Sequence, residues 1–434
     1  MMLILGASED QLPVYLEARR RGIPTIGVDA RRDRPAYPYA DVWLPVSIKD
    51  HEGIVAALDG RRPTAVVAAA SDAGLWSWHE LSRRYELPYR FPAGAARASL
   101  DKSAFHRIVR AAGVPGYRWH QGADRAALIR AAHQIGFPVV VKPPDTSGSK
   151  GISLVEDPTG LPVALDYAAR FTAPGGPLLV EEFLAGRNLT VDVFMRAGQV
   201  AFAGITEKRI VPGPRFVIGG HAGPAAVGAA VRDRLVLAAG RLCRAIDLID
   251  GPANFDVILR DDGSFAVLEA NARLCGNAFP TLMRHVYGVD TVAALVSLAL
   301  GEPFDLTPSR DDAGVIHVLA SPLPGDAVLT AVGDLAQARA LPGVVCCEVY
   351  AEPGAVVRPF DQSANKLGYL VVTGPDAATA RARLAAALDV LVLEFAAAPA
   401  ATPAATSAAT SAAAPAATPA AAPAAAPAGL SLPG

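Results

Sequence analysis

The chain has 434 residues, 51% of them hydrophobic, and its 40 Lys and Arg nearly balance 42 Asp and Glu for a net charge of -2 at pH 7. That length exceeds one ordinary core and suggests about three packed units of roughly 100 to 200 residues each. The interspersed, near-neutral charge gives no electrostatic footprint for nucleic acid or an anionic membrane, so small-molecule substrates fit better.

No apolar run reaches the ~20 residues of a membrane span. The start MMLILGASEDQ leads into a charged helix instead of a signal-peptide cleavage site, so a cytoplasmic location is expected. Over the first hundred residues, short apolar runs (MLIL, TIGV, DVWLPV, TAVVAAAS) alternate with amphipathic stretches such as Gln11 to Arg21, the pattern of a parallel doubly wound sheet. Gly6 follows the first strand and Asp29 ends the second, as in a dinucleotide site. GASEDQ lacks the G-x-G-x-x-G spacing, however, and reads as turn chemistry.

From Asp101 a helix runs to Gly113 and Pro115, and a second spans Ala126 to Gln134 before Gly136 and Pro138. The strands PVVVKP, GISLV, GPLLVEEFL, NLTVDVFM and QVAFAGITEK then follow in quick succession, which predicts antiparallel sheets. A long helix from about Ala225 to Ala245 precedes ANFDVIL and SFAVLEA, joined at the hairpin signal Asp262-Gly263. Beyond Gly314 a smaller α/β region is predicted, with strands at Val315 to Leu319, Val344 to Tyr350 and Gly368 to Val372 and a helix from Ala377 to Leu388. After Ala396 the Ala- and Pro-rich composition offers no core, and a disordered tail is expected. The four cysteines, Cys243, Cys275, Cys346 and Cys347, have no C-x-x-C spacing and read as buried thiols.

Three stretches carry chemistry. Lys142 ends a strand and is followed by PPDTSGSKG, whose small residues let backbone N–H groups turn onto phosphate oxygens while the ammonium neutralises charge. It is not the P-loop pattern, and glycine-rich loops are common. In VLEANAR, Glu269 and Asn271 lie two apart on a strand and project from one face. Asp256 on the partner strand supplies a second carboxylate, and Arg273 extends the row with a fork suited to phosphate. Two hard oxygen ligands with a third beside them suit a Mg-nucleotide. Exposed polar residues alternating with core Val267, Leu268 and Ala270 would give the same pattern. The third stretch, LLVEEFLAG, ends a strand in two glutamates where backbone groups and Glu181 could read an adenine edge. A solvated charge pair is the plainer reading.

In this order and spacing, the lysine after Asp101, VVVKP, SGSKG, VEEFLAG, NFDVIL and LEANARLCGN resemble the ATP-grasp superfamily. Within it the chain looks most like carboxylate-amine ligases of the L-amino-acid ligase group, on ITEKRIVPGPRFVIGGHAGPA and ARLCGNAFPTLMRHVYGVD. The resemblance implies an α/β and α+β architecture: a Rossmann-like pre-ATP-grasp domain over 1–100, an ATP-grasp domain over 101–313, a small C-terminal α/β domain over 314–395 and the tail over 396–434. It implies ATP with Mg2+ or Mn2+, small-molecule carboxylate and amine substrates, and is compatible with a homodimer.

Residue by residue, the resemblance implies that Lys102 and Lys142 contact phosphates under a loop of Ser147, Gly148, Ser149 and Gly151. Glu181, with Glu182 and Leu184, would hold adenine. Asp256, Glu269 and Asn271 would bind the metal, Arg273 would stabilise the moving phosphoryl group, and His221 would lie near the acceptor pocket as a base with a near-neutral pKa. Arg215, Phe216 and His221 fall in one Gly-rich pocket loop from Lys208 to Pro224, which could engage a carboxylate and a side chain. Asn188 stands where many members place a ribose-binding glutamate, and Asn254 where some carry an arginine; both can weaken nucleotide use. Phosphorylation of a metabolite, carboxylation, and nucleotide binding without ligation remain open alternatives.

Overall fold

A computed structural model describes residues 1–398 apart from 147 and 214, and residues 1–398 form one compact unit. The expected tail therefore lies almost entirely outside the described residues, although ordered structure runs through Ala397, just past its expected start.

Four short buried strands open the chain: β1 (Met2–Leu5), β2 (Thr25–Val28), β3 (Val42–Leu44) and β4 (Ala65–Ala68), in the all-parallel order β3-β2-β1-β4. Because the chain leaves β1 on one side for β2 and returns to its other side as β4, the crevice beyond the carboxyl ends of β1 and β4 is a topological switch point, where α/β sheets place ligands. Its first loop is closed from within. The Gln11 side chain accepts from Ser8 N at 2.9 Å and donates to the Ala69 carbonyl at 2.6 Å, which supports the reading of GASEDQ as a structural turn.

The next sheet is small and antiparallel, with β5 (Trp119–Gly122), β6 (Val139–Lys142), β7 (Ser153–Val155) and β8 (Leu178–Glu182) in the order β5-β8-β6-β7. Alternation divides its faces. Val139, Val141, Leu178 and Val180 pack with Leu128, Leu161 and Leu165 from two helices, and Lys142 and Glu181 are left on the other face. The helix Lys102–Ala111, capped by Asp101, which accepts from Ser103 N at 2.9 Å and Ala104 N at 3.0 Å, reaches this polar side through His106.

The remaining strands are β9 (Arg187–Arg196), β10 (Gln199–Ile210), β11 (Ile218–Gly223), β12 (Gly251–Leu259), β13 (Phe265–Asn271), β14 (Ala313–Leu319), β15 (Ala327–Val332), β16 (Val344–Val349), β17 (Val356–Val357), β18 (Gly368–Gly374) and β19 (Leu393–Ala397). Eight of them form one sheet in the order β13-β12-β9-β10-β11-β14-β18-β16, and β17-β15-β19 form a separate layer. The C-terminal region is thus not a detached layer. β14 pairs with β11 on one side and β18 on the other, so hydrogen bonding crosses the boundary expected at 313/314. The helix Phe279–Tyr287 covers part of this sheet, with Leu282 and Met283 over the Cβ-free positions Gly314 and Gly204.

The four cysteines are free. No helix among the described residues is long and apolar enough to cross a membrane.

Candidate active site

The β12–β13 hairpin turns at Asp262-Gly263, with Gly263 at φ 78°, and aligns Asp256 directly opposite Glu269. A register shift between Asp256 and Val257 turns Val267 to the buried side with Ala270, and both carboxylates lie on the other face, 28% and 24% exposed. Each carboxylate has an ammonium close by: Lys208 Nζ lies 2.5 Å from Asp256, and Lys102 Nζ lies 3.8 Å from Glu269. Lys102 also donates to the Thr146 carbonyl at 2.6 Å, which ties the glycine-rich loop to β13.

Asn271 joins this group. One end of its amide faces Glu269 Oε1 at 3.2 Å and Asp72 Oδ1 at 3.1 Å. Two arrangements satisfy these atoms: the nitrogen turned to both carboxylates, or the oxygen presented with them to a cation. Hard oxygens converging in this way fit Mg2+ or Mn2+. Among the described residues no three His, Cys, Asp or Glu side chains gather as a metal cluster, and the expected set has an amide as its third donor.

In the loop after Lys142, Gly148 and Gly151 adopt φ of 72° and 74°, and a Cβ on Gly151 would come within 2.7 Å of Pro143. Ser147 lies outside the described residues. The loop is held from two sides: Ser149 Oγ donates to the Phe216 carbonyl at 3.2 Å, and Ser363 N donates to the Gly148 carbonyl at 3.2 Å. Arg215 is spoken for, because its guanidinium lies 3.6 Å from the centre of the Tyr167 ring and donates to Ser153 Oγ at 2.8 Å. Phe216 packs beside Phe183 next to the hinge, with ring centres 6.3 Å apart.

Glu181 departs most clearly from its expected role. Its Oε2 accepts from Lys142 Nζ at 2.7 Å and its Oε1 from His106 Nε2 at 3.0 Å, with all three side chains buried. Burial would push this carboxyl up, but the Lys142 ammonium and His106 outweigh it and hold it down to about 2. Both oxygens are committed inside the protein, so the carboxylate is not free to read an adenine amine as expected. An ionised carboxylate only accepts, so His106 carries its proton on Nε2. The imidazole stacks on Trp119 (4.9 Å, 25°) and meets the edge of Tyr117 (5.0 Å, 89°). Glu182 accepts from Arg118 N at 3.2 Å, Leu184 packs with Ile258 and Ala266, and Asn188 pairs with Ile258 across β9 and β12.

His221 is not in a loop. It lies in β11, opposite Lys208 on β10 and Ile316 on β14, and is 2% exposed. Burial, then the Lys208 charge, lower its pKa to about 3 against the pull of Asp256. A base with near-neutral pKa is therefore corrected to a neutral imidazole. Its Nδ1 faces Thr206 Oγ1 at 3.2 Å and its Nε2 has no partner among the described residues. On β9, Asp192 is buried with Oδ1 unpartnered among the described residues, and burial pushes its pKa up to about 8 against the Arg273 charge.

Arg273 is engaged by the first sheet. Its Nε donates to Asp72 Oδ1 at 2.9 Å, its Nη2 to Asp72 Oδ2 at 3.2 Å and its Nη1 to the Leu274 carbonyl at 3.3 Å, which sets the guanidinium beside Asn271 but commits three of its five N–H groups. Close by, Lys366 Nζ bonds Glu9 Oε1 at 2.8 Å and Asp10 Oδ2 at 3.0 Å, and Asp10 Oδ1 accepts from Asn277 N at 2.7 Å. Sequence reasoning missed Asp72, His106, Asp192 and Lys208. His106 alone had a local signal, four residues after Lys102 and so on the same helix face.

Residues 135–281 match the model of the ATP-grasp domain, and residues 311–396 that of L-amino acid ligase C-terminal domain 2. An uncharacterized protein of Sinorhizobium fredii is 29% identical over 322 residues, covering 73% of this chain and 65% of that protein. A formate-dependent phosphoribosylglycinamide formyltransferase of Sodalis glossinidius is 31% identical over 190 residues, 42% of this chain and 47% of the relative. The matches thus span about two thirds or less of these curated relatives' own lengths. The crystal structure of the L-amino acid ligase from Bacillus licheniformis has the same fold, with a TM-score of 0.76 at 18% identity over 91% of this chain and 98% of that one. Residues 135–281 are thus an ATP-grasp domain, and the chain resembles the L-amino acid ligases in its fold and its C-terminal domain.

Proposed function

We propose that this protein is an ATP-dependent carboxylate-amine ligase acting on small molecules, with an amino acid as one substrate, and that it releases ADP and phosphate. The observation that carries this reading is Lys102, whose ammonium spans from the Thr146 carbonyl of the glycine-rich loop to Glu269 on the carboxylate hairpin. A triphosphate lying along that line would meet Lys102, Lys142 and the Gly148–Gly151 backbone on one side and Asp256, Glu269 and Asn271 on the other.

A carboxylate is a poor acyl donor because oxide must leave. In the first step its oxygen attacks the γ-phosphorus of ATP, the bond to ADP breaks, and an acyl phosphate forms. Bound Mg2+, held by Asp256, Glu269 and Asn271, would supply charge neutralisation at the phosphates. Lys102 and Lys142 position the phosphates, and the remaining N–H groups of Arg273 face growing negative charge. In the second step a neutral amine attacks the acyl carbon, phosphate leaves with the C–O electron pair, and the amine gives up its proton to solvent or phosphate. His221, neutral at pH 7, serves as a hydrogen-bonding group. The Ser149 loop, held to the Phe216 carbonyl, would shield the acyl phosphate from water.

A second reading, ligation to a phosphorylated amine, has the formyltransferase likeness in its favour. Against it, the switch-point crevice holds the carboxylates of Glu9, Asp10 and Asp72 against the cations of Lys366 and Arg273, a poor setting for phosphate. The test is ADP release across pairs of amino acids and small carboxylic acids, read by mass spectrometry. A product lighter than its reactants by one water supports ligation; ADP release without any amide, or none with any pair, rejects it.

A further inference from the structure

We propose that His106 is a positioning residue of the nucleotide site: by holding one oxygen of Glu181, it leaves the other to fix Lys142 for phosphate. The inference rests on the nucleotide reading above and adds a residue that this reading does not use.

The helix Lys102–Ala111 directs two side chains of one face, Lys102 and His106, toward different parts of the site. Lys102 reaches the glycine-rich loop and Glu269, whereas His106 reaches only Glu181 and the aromatic rings around it. Glu181 sits on an inner strand of its sheet, opposite Trp119 on one neighbour and Val140 on the other, and its side chain is 4% exposed. A carboxylate this deep needs a donor at each oxygen.

Were His106 absent, the donors left to Glu181 would be Lys142 and the Tyr117 hydroxyl, which lies 3.4 Å from His106 Nε2, and the ammonium would be drawn further into the carboxylate. With Oε1 met by His106 at 3.0 Å, Lys142 contacts Oε2 alone at 2.7 Å. One of its three N–H groups is used and two remain for phosphate oxygens. Trp119 and Tyr117 hold the imidazole from its face and its edge, so the donor is fixed before any nucleotide arrives.

The test compares full-length wild type with His106→Leu, His106→Asn and His106→Gln, reading MgATP binding by calorimetry, KM for ATP, kcat and Tm. His106→Leu removes the donor, Asn shortens it, and Gln can still extend an amide N–H toward Glu181. The expected result is an ATP Kd and KM raised about tenfold in the Leu and Asn variants, with kcat within about threefold of wild type and recovery in Gln. An unchanged KM for ATP in folded His106→Leu overturns the inference, as does a Gln variant no better than Leu. If His106→Leu does not fold, the Gln and Asn variants decide: a gap of about tenfold between them supports the role, and equal values overturn it. A wild type that binds no MgATP would instead sink the nucleotide reading itself, whereas binding by wild type and His106→Leu alike sinks only the assignment of His106.

Discussion

Asp72 and Arg273, 201 residues apart in the chain, meet through two parallel hydrogen bonds of 2.9 and 3.2 Å. Their side chains are 9% and 11% exposed, so the pair links the first sheet to the carboxylate hairpin under cover from solvent. Removing one partner leaves the other charge buried alone. Asp72→Ala should cost about 3 kcal/mol of unfolding free energy, and Asp72→Ala with Arg273→Met should cost clearly less than the two single changes summed. Urea unfolding of the three variants checks this; a strictly additive cycle would mean that the pair contributes no coupling.

Asp256 and Glu269 stand opposite each other and are each about a quarter exposed, open enough to bind a cation. Asp256→Asn and Glu269→Gln should each raise the Mg2+ concentration needed for half-maximal ADP release by about 10- to 100-fold, and Asp256→Asn should also lower Tm because it leaves the buried Lys208 ammonium without its carboxylate. Titrating Mg2+ at saturating ATP measures this. A normal Mg2+ requirement in both variants would remove these carboxylates from the metal site.

Burial lowers the pKa of His221 from its ordinary 6.5 to about 3. The neutral ring is favoured in the folded chain, so its contribution is whole above pH 6.5 and is lost as pH falls toward 3. Between these limits one group changes stability by about 1.4 kcal/mol per pH unit. His221→Asn should therefore show a shallower loss than wild type between pH 6.5 and 4.5, by up to that slope. Unfolding free energies at several pH values test it, and parallel slopes would contradict a depressed pKa.

Asp192 has the opposite sign. Its carboxyl is raised to about 8 by burial, so the folded chain keeps a proton that the unfolded chain has released. Stability from the neutral form is whole below the ordinary carboxyl range and fades as pH climbs through 8. Asp192→Asn, which stays neutral, should gain on wild type steadily from pH 5 to pH 8, at about 1.4 kcal/mol per pH unit at most. A gain that does not change with pH would mean Asp192 is ionised in the folded chain.

Much of the architecture was legible because it is written locally. Alternation predicted the hairpin strands, Asp262-Gly263 their turn, and Asp101 the start of the helix that carries Lys102. His221 was misjudged because Gly219, Gly220 and Gly223 look like a loop. In the sheet they let neighbours come close instead, since a Cβ on Gly220 would press on the Ile316 carbonyl and one on Gly223 on Thr206. The partners that redirect the site side chains were hidden for a different reason. Asp72 for Arg273, Lys208 for Asp256 and His106 for Glu181 lie dozens to hundreds of residues away, and no local period reports a pairing of that range. The joining of β14, β18 and β16 to the large sheet depends likewise on long-range register.

That joining bears on how the protein can be cut. β14 seals one side of β11, the strand that carries His221. A fragment stopping near residue 312 would keep every phosphate and metal side chain named above, yet it would lay bare a row of unmatched backbone N–H and C=O groups along β11. Such a rim invites pairing with another chain, and the fragment would tend to aggregate before its chemistry could be assayed.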